Sequence, residues 1–503
     1  MAEYFIGIDL GTSSVRAFLI EFESKKSYVA GETYDVSVPQ LGYAEQNPEM
    51  WFEKTVLVIR RVLAESGVDP REIAALSFSG QMHGMVALDA ENRPVMDVPI
   101  WMDQRSGDAI REIYEKLGED MPRENLQNWI ATGFLISSLY WLKTRRSDLY
   151  ERVARVILPK DYIKFRLCGR ALTDPSDASG SLAYDIVHRR WATPVIDALG
   201  IDRSIFPECL PSTEVVGHIT AEAAKLTGLC EGTLVVNGGS DQCMQSIGNA
   251  VVEEGVFASN IGTSAVVSIP VYSPRYDAKM RTNFFAHAVP DCWSILVACL
   301  NGGCALKWLT RKIFPGESYD DINRMVAERP AGAHGLIFLP YLGGERTPHM
   351  DPKAKGVFFG LTMDHDRADM ARALMEGIVF GMKDGLNTVE ELGVQCSRVV
   401  AAGGGARSDV WLQMQADIFE REVHRSASKE QACLGAAITA AIGAGKFASY
   451  PEACAACVEP PTRIFTPIDE NVRIYRELFP IYRSLYAANK PCFDALSGVF
   501  QVE

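Results

Sequence analysis

The chain has 503 residues, too many for one ordinary hydrophobic core, so two domains of roughly 200–250 residues are expected. Hydrophobic residues make up 47% and charged residues 23%, the balance of a soluble globular protein. A net charge of −14 with no basic block argues against nucleic acid as a partner and against docking on an anionic membrane.

The opening run MAEYFIGIDLGTSSVRAFLIEF has no basic n-region and places Asp9 inside its apolar stretch, which speaks against a secretory signal. Residues 5–22 within it read as a strand, a Gly-Thr-Ser turn and a second strand. PEMWFEKTVLVIRRVLAESG has helical spacing and stops at Gly67, and IAALSFSGQMHGMVALD places two short β-rich runs on either side of Ser79–Gly84. TLVVNGGSDQCMQSIGNA reads as a strand, a Gly238-Gly239-Ser240-Asp241 connection and a helix. Residues 256–269 then repeat the plan of the first hairpin around Gly262-Thr263-Ser264. One such hairpin in each half suggests two similarly built halves, divided here as 1–246 and 247–503.

Further along, ADMARALMEGIVFGMKDGLNTVEELG predicts a helix closed by Gly393. SRVVAAGGGARSDVWLQMQADIF predicts a strand, a triple-glycine turn and a helix capped by Ser408 or Asp409. The tail from EPPTRIFTP onward is charged, aromatic and helical in pattern. The mixture indicates α/β architecture. No run of about 18 apolar residues occurs, so no membrane span is expected. Twelve cysteines are scattered, and the lone pair Cys454 and Cys457 is weak evidence for zinc; reduced thiols in a cytoplasmic protein are the better reading.

Several segments have the composition of a binding site. The turn Gly11-Thr12-Ser13 brings backbone N–H groups and small hydroxyls to where phosphate oxygens fit, and Asp9 at the end of the preceding strand suits Mg²⁺. Gly262-Thr263 offers a second such turn, and Gly403-Gly404 lets a nucleotide lie against backbone or simply makes a tight strand-to-helix connection. Neither matches GxGxxG or GxxxxGK[ST], and without GxGxxG and its acidic partner an oxidoreductase is excluded. Asp241, after two glycines, is placed either as an N-cap or as a carboxylate reaching into a cleft to act as a general base. Met82 and His83 suit a polyol with one carbon face and one hydrogen-bonding ring, although a loop histidine satisfied by its own protein reads the same way. Trp101 and Asp103 add an indole and a carboxylate, with an Asp103–Arg105 ion pair as the alternative.

Taken in order, GQMHG, WMDQR, LPKDYIKFRLCG, TDPSDASGSLAYD, GGSDQ, NIGTS, LGGERTPHMDP, GVFFGL and AGGGARSDVW resemble the FGGY family of carbohydrate kinases over nearly the whole chain. The resemblance implies two ribonuclease-H-like lobes of the actin and hexokinase type, with ATP and sugar in the cleft between them. It also implies Asp241 as catalytic base, Met82 and His83 on the sugar, Asp9 and Thr12 near Mg²⁺ and phosphate, and Gly262, Thr263, Gly403 and Gly404 on the nucleotide. The GQMHG loop looks like the version that takes D-xylulose to xylulose 5-phosphate, with gluconate or another ketopentose behind it. The Arg-Glu pair of glycerol kinases is absent. A non-catalytic, actin- or chaperone-like ATP switch is the alternative from another class, and a homodimer is compatible with the resemblance. Two departures stand out: Ser138 where a lysine is usual, and Leu374 where a smaller or β-branched residue is usual.

Overall fold

The computed structural model describes residues 3–499. Two seven-stranded sheets dominate it. The first runs Val215–His218, Leu234–Val236, Ile73–Gly80, Tyr4–Leu10, Ser14–Glu21, Lys26–Thr33, with Gly239–Ser240 also pairing to Ile73–Gly80. The second runs Asn283–Ala286, Trp293–Cys299, Ala265–Val271, Val256–Ile261, Arg398–Ala402, Val423–Arg425, Arg463–Phe465.

The two hairpins expected from the sequence occupy equivalent places. Tyr4–Leu10 pairs antiparallel with Ser14–Glu21 and parallel with Ile73–Gly80. Val256–Ile261 pairs antiparallel with Ala265–Val271 and parallel with Arg398–Ala402. Each half therefore repeats one plan, the two-lobed arrangement of the actin and hexokinase type.

Burial explains why Tyr4–Leu10 reads as an almost continuous apolar run: a strand covered on both faces has no polar side to show. One cover is the helix Pro48–Ser66, begun by Asn47, whose Oδ1 accepts from Glu49 N–H, and ended by Gly67 at φ 64°. The other cover comes from the far end of the chain. Helix Gln431–Gly443, rich in alanine and buried from Ala432 to Ala441, crosses to lie on this first sheet. It also packs on helix Asp241–Gly248, inside which the expected division at 246/247 falls. The contacts are backbone on backbone: a β-carbon on Gly7 would overlap the Cys433 carbonyl, and one on Gly435 would overlap the Met244 carbonyl.

The remaining elements follow the sequence reading closely. The long helix is Arg367–Glu390, with Gly393 just beyond it at φ 77°. Ser408, not Asp409, caps helix Asp409–Phe419 by accepting from Trp411 N–H. The tail folds as helix Asp469–Val499. All twelve cysteines are unpaired, with Cys454 and Cys457 buried in helix Tyr450–Cys457. Among the described residues no helix is long and apolar enough to cross a membrane, and no three His, Cys, Asp or Glu side chains group to hold a metal.

Replacing Gly435 by Ala tests the crossing of the two helices. Intrinsic helix preference favours alanine by about 1 kcal/mol, whereas overpacking costs roughly 1–3 kcal/mol. A fall in the thermal unfolding midpoint is expected, and a rise would mean that the helices do not touch there.

Candidate active site

Asp9 and Asp241 stand at the carboxyl ends of strands on either side of Ile73–Gly80. Asp9 is in register with Ser79, and Gly239 and Ser240, which lead into Asp241, are in register with Ser79 and Gly80. Carboxyl ends of neighbouring strands are where open α/β sheets place their ligands. Ser79 Oγ donates to Asp9 Oδ1 at 2.7 Å. Burial raises the Asp9 carboxyl above its ordinary value. Burial, with the Asp9 charge added to it, pushes Asp241 up to about 7. Ser240 takes the N-cap position of helix Asp241–Gly248, so Asp241 is not the cap residue.

Both Gly-Thr-Ser turns reach the surface. In the first, Gly11 N–H donates to Ser14 O at 2.9 Å, and Ser13 O accepts from Tyr34 N–H at 3.0 Å, which leaves Ser13 exposed. Thr12 Oγ1 accepts from Trp101 Nε1 at 2.9 Å, which leaves its own proton to donate. In the second, Gly262 and Thr263 are exposed. Gly403 and Gly404 lie beside this turn because Ala402 is in register with Asn260. Only glycine serves at 403: its φ is 77° and a β-carbon would overlap Asn260 Oδ1. Asn260 Nδ2 in turn donates to Gln245 Oε1 at 2.9 Å, linking this turn to the helix that Asp241 opens.

His83 sits at φ 77°, in the left-handed region that non-glycine residues seldom enter. Its Nδ1 lies 2.7 Å from Gly180 O, so Nδ1 carries the proton and donates, leaving Nε2 a free acceptor. Burial lowers this histidine to about 4, which keeps the ring neutral, and the Arg346 charge acts in the same direction. The ring rests against Phe134 at 4.1 Å between centroids and Phe285 at 6.0 Å. Met82 is buried, and a β-carbon on Gly180 would crowd both its Cε and His83 Nδ1. His83 from one half thus meets Phe285 from the other.

Asp103 leaves the set of substrate-facing candidates. It is fully buried, and its carboxylate accepts from Ala44 N–H at 2.8 Å and from Arg105 N–H and Nε, each at 2.9 Å. Arg105 also pairs with Glu45 and lies over the Tyr43 ring, so the Asp103–Arg105 ion pair is the reading that holds. Trp101 is partly exposed and its Nε1 donates to Thr12 Oγ1, not to the Met82–His83 loop. Ser138 and Leu374, the two departures, are both core positions.

Sequence reasoning did not find the buried ionic cluster beneath the carboxylates. Lys160 Nζ lies 2.7 Å from Asp161, 2.9 Å from Asp174 and 3.1 Å from Asp177, all with no solvent exposure. Lys164 Nζ reaches Asp161 at 2.8 Å and also Asn237. Burial drives Asp177 well above the usual carboxylate range. Asp174 Oδ2 accepts from Ser176 Oγ at 2.5 Å, and Ser176 Oγ accepts from Ser240 N–H at 2.9 Å. The cluster therefore fixes the residue immediately before Asp241. Its clue in the sequence is a pair of lysines four apart in the short helix Pro159–Cys168, which is buried on nearly every side.

Two similarly built sheets, each with a Gly-Thr-Ser turn, and two carboxylates at strand ends of the first go together with a match to carbohydrate kinases, which makes the class a sugar phosphotransferase. The model for the FGGY family of carbohydrate kinases, N-terminal domain, matches residues 4–248, and that for the C-terminal domain matches residues 257–444. The xylulose kinase of Bacillus subtilis (strain 168) is 35% identical, over 99% of this chain and 99% of its own. A crystal structure described as a xyloylose kinase from Brucella ovis superposes with a TM-score of 0.91 at 30% identity, covering 97% of this chain and 100% of that one. The gluconate kinase from Lactobacillus acidophilus gives 0.93 at 26% identity, covering 99% and 100%. The chain belongs to the FGGY family of carbohydrate kinases, and the reading as a non-catalytic ATP switch is set aside.

A carboxyl pushed up to about 7 carries a stability signature. Its folded value exceeds the ordinary 3.8, so stability is highest below that value and is lost as pH rises through about 7. Asp241→Asn should therefore raise the thermal unfolding midpoint at pH 8 and change it little at pH 4. Equal shifts at both pH values would mean that Asp241 is not under this strain.

Proposed function

We propose that this chain transfers the γ-phosphoryl group of ATP to D-xylulose, giving xylulose 5-phosphate, with Asp241 as the general base. The observation that carries the reading is the position and acidity of Asp241: a strand-end carboxylate beside Asp9, poised near neutral pH. Support for the sugar comes from the Met82–His83 loop, with its free Nε2 acceptor and aromatic walls, and from the similarity to xylulose kinases.

In this mechanism Asp241 orients the sugar hydroxyl and takes its proton as the oxygen attacks phosphorus. His83 Nε2 accepts a hydrogen bond from another sugar hydroxyl, and Met82 and Phe134 bound the apolar face. The turns at Gly11–Ser13 and Gly262–Thr263 donate N–H groups and hydroxyls to phosphate oxygens, and Gly403-Gly404 leaves room for the nucleotide. Asp9 stands close enough for its charge to act on Asp241, and Ser79 orients Asp9, a donor set that would fit Mg²⁺ arriving with ATP phosphates and water. When bound there, Mg²⁺ neutralises phosphate charge. Closure of the two lobes excludes water, which would otherwise accept the phosphoryl group.

A coupled ADP assay over D-xylulose, other ketopentoses, gluconate and glycerol tests the reading, with D-xylulose expected to give the highest kcat/KM. Gluconate as the preferred substrate would move the assignment to the activity of the Lactobacillus neighbour. In the same assay Asp241→Asn should lower kcat by about 10²–10⁴, and wild-type kcat/KM should rise with pH through about 7 as the base deprotonates. Near-normal turnover of the variant removes Asp241 from the role. His83→Ala deletes one hydrogen-bond acceptor, worth about 1–3 kcal/mol, and should raise the sugar KM roughly 5–100-fold. An effect on the ATP KM alone would assign the loop to the nucleotide.

A further inference from the structure

The second phosphate turn is framed by two loops. Gly303 N–H donates to Gly262 O at 2.8 Å, and Gly302 and Cys304 N–H donate to Thr263 O at 3.2 and 3.0 Å. The 300–304 loop in turn holds the segment 343–347. Asn301 Nδ2 donates to Gly344 O at 2.8 Å, and Leu300 N–H donates to Glu345 Oε1 at 2.7 Å. Thr347 N–H donates to Ala298 O at 3.1 Å, fastening the segment to the end of strand Trp293–Cys299.

Arg346 lies in the middle of this braced segment. Its backbone is held on both sides, with N–H donating to Glu345 Oε1 at 2.7 Å and its carbonyl accepting from Met350 N–H at 2.5 Å. Its side chain is the opposite case. The residue is exposed, and among the described residues its guanidinium makes no ion pair and no hydrogen bond. The adjacent Glu345 carboxylate is buried and turned onto the Leu300 and Arg346 N–H groups, so its charge acts on the guanidinium without a direct bond to it. The Arg346 charge nevertheless reaches the sugar loop, since it helps hold His83 neutral. A fixed loop that frames the phosphate turn thus presents one unpartnered cation within electrostatic range of the group that receives the sugar.

We propose that Arg346 binds the phosphoryl group during transfer, as a catalytic residue that acts most strongly in the transition state; this rests on the reading of the site given above. As the sugar oxygen bonds to the γ-phosphorus, the bond from that phosphorus to the β,γ-bridging oxygen breaks and its electron pair leaves with ADP. The hydroxyl proton passes to Asp241. Charge is spread over three equatorial oxygens at that moment. A guanidinium, always charged and carrying five N–H donors in one plane, matches them better than it matches a neutral sugar. Rigid bracing of the backbone means that little reorganisation is needed when that charge develops.

The test uses the full-length enzyme with Arg346→Ala and Arg346→Lys, each checked for an unchanged unfolding midpoint. For Arg346→Ala, kcat should fall about 10²–10³-fold, with the sugar and ATP KM values within about threefold of wild type. Arg346→Lys should recover part of the loss, and added guanidinium ion should rescue Arg346→Ala but not the lysine variant. By titration calorimetry, ADP with aluminium fluoride should bind wild type more tightly when sugar is present, a gain that Arg346→Ala lacks. Unchanged kcat overturns the proposal, as does a raised sugar KM at normal kcat, which makes Arg346 a sugar contact. Wild-type turnover on the sugar panel separates the two levels. An active wild type with an equally active Arg346→Ala overturns this inference alone, whereas a wild type inactive on every sugar overturns the reading of the site beneath it.

Discussion

Lys160, shut away from solvent among three aspartates, is the contact on which the site depends. Burying a cation is costly, and the cost is offset only when carboxylates and hydrogen bonds surround it; removing one partner of such a set costs about 3–5 kcal/mol. The cluster is correspondingly intolerant of displacement. Through Asp174 and Ser176 it reaches the N–H of Ser240, and the strand end that carries Asp241 inherits its rigidity. The placement of the carboxylate proposed as general base is thereby set by a buried cluster beneath it.

Above this base, burial works in opposite senses on two kinds of group. It raises Asp241 to about 7 and lowers His83 to about 4, so each is driven toward its uncharged form. For His83 that outcome is useful, because a neutral ring with Nδ1–H committed to Gly180 offers Nε2 as an acceptor. For Asp241 it is a compromise under the proposed role: a base near neutrality would be strong enough to take a proton and weak enough to release it. The nearby Asp9 shares in producing this value, so the carboxylate suited to a cation also tunes the one suited to a proton.

Much of the fold was legible because its signals are local. The two Gly-Thr-Ser hairpins, the helix closed by Gly67 and the strand running into Gly403 each depend on residues a few positions apart. Met82 and His83 were legible as a loop for the same reason. What escaped depends on distant partners. Asp103 looked available until Ala44 and Glu45 arrived from another strand to enclose it with Arg105. Phe285 approaches His83 from the other half, and nothing near His83 in the chain announces it. The lysine–aspartate cluster draws on residues 160–177 and 237, whose polarity reads as surface until the packing is known.

Helix Gln431–Gly443 has a consequence for how the protein is made. The first sheet presents Phe5, Ile20, Ala75 and Val236 to a cover that includes Ala432, Ala436, Ala437 and Ala440. A ribosome delivers those alanines only after more than four hundred residues have emerged. Until then the leading half lacks the cover for this apolar face, the kind of exposed surface that makes partly folded chains prone to association. The fold thus ties maturation of the half bearing Asp241 to the near-completion of translation, and a chain cut short before this helix lacks the lining that packs on helix Asp241–Gly248.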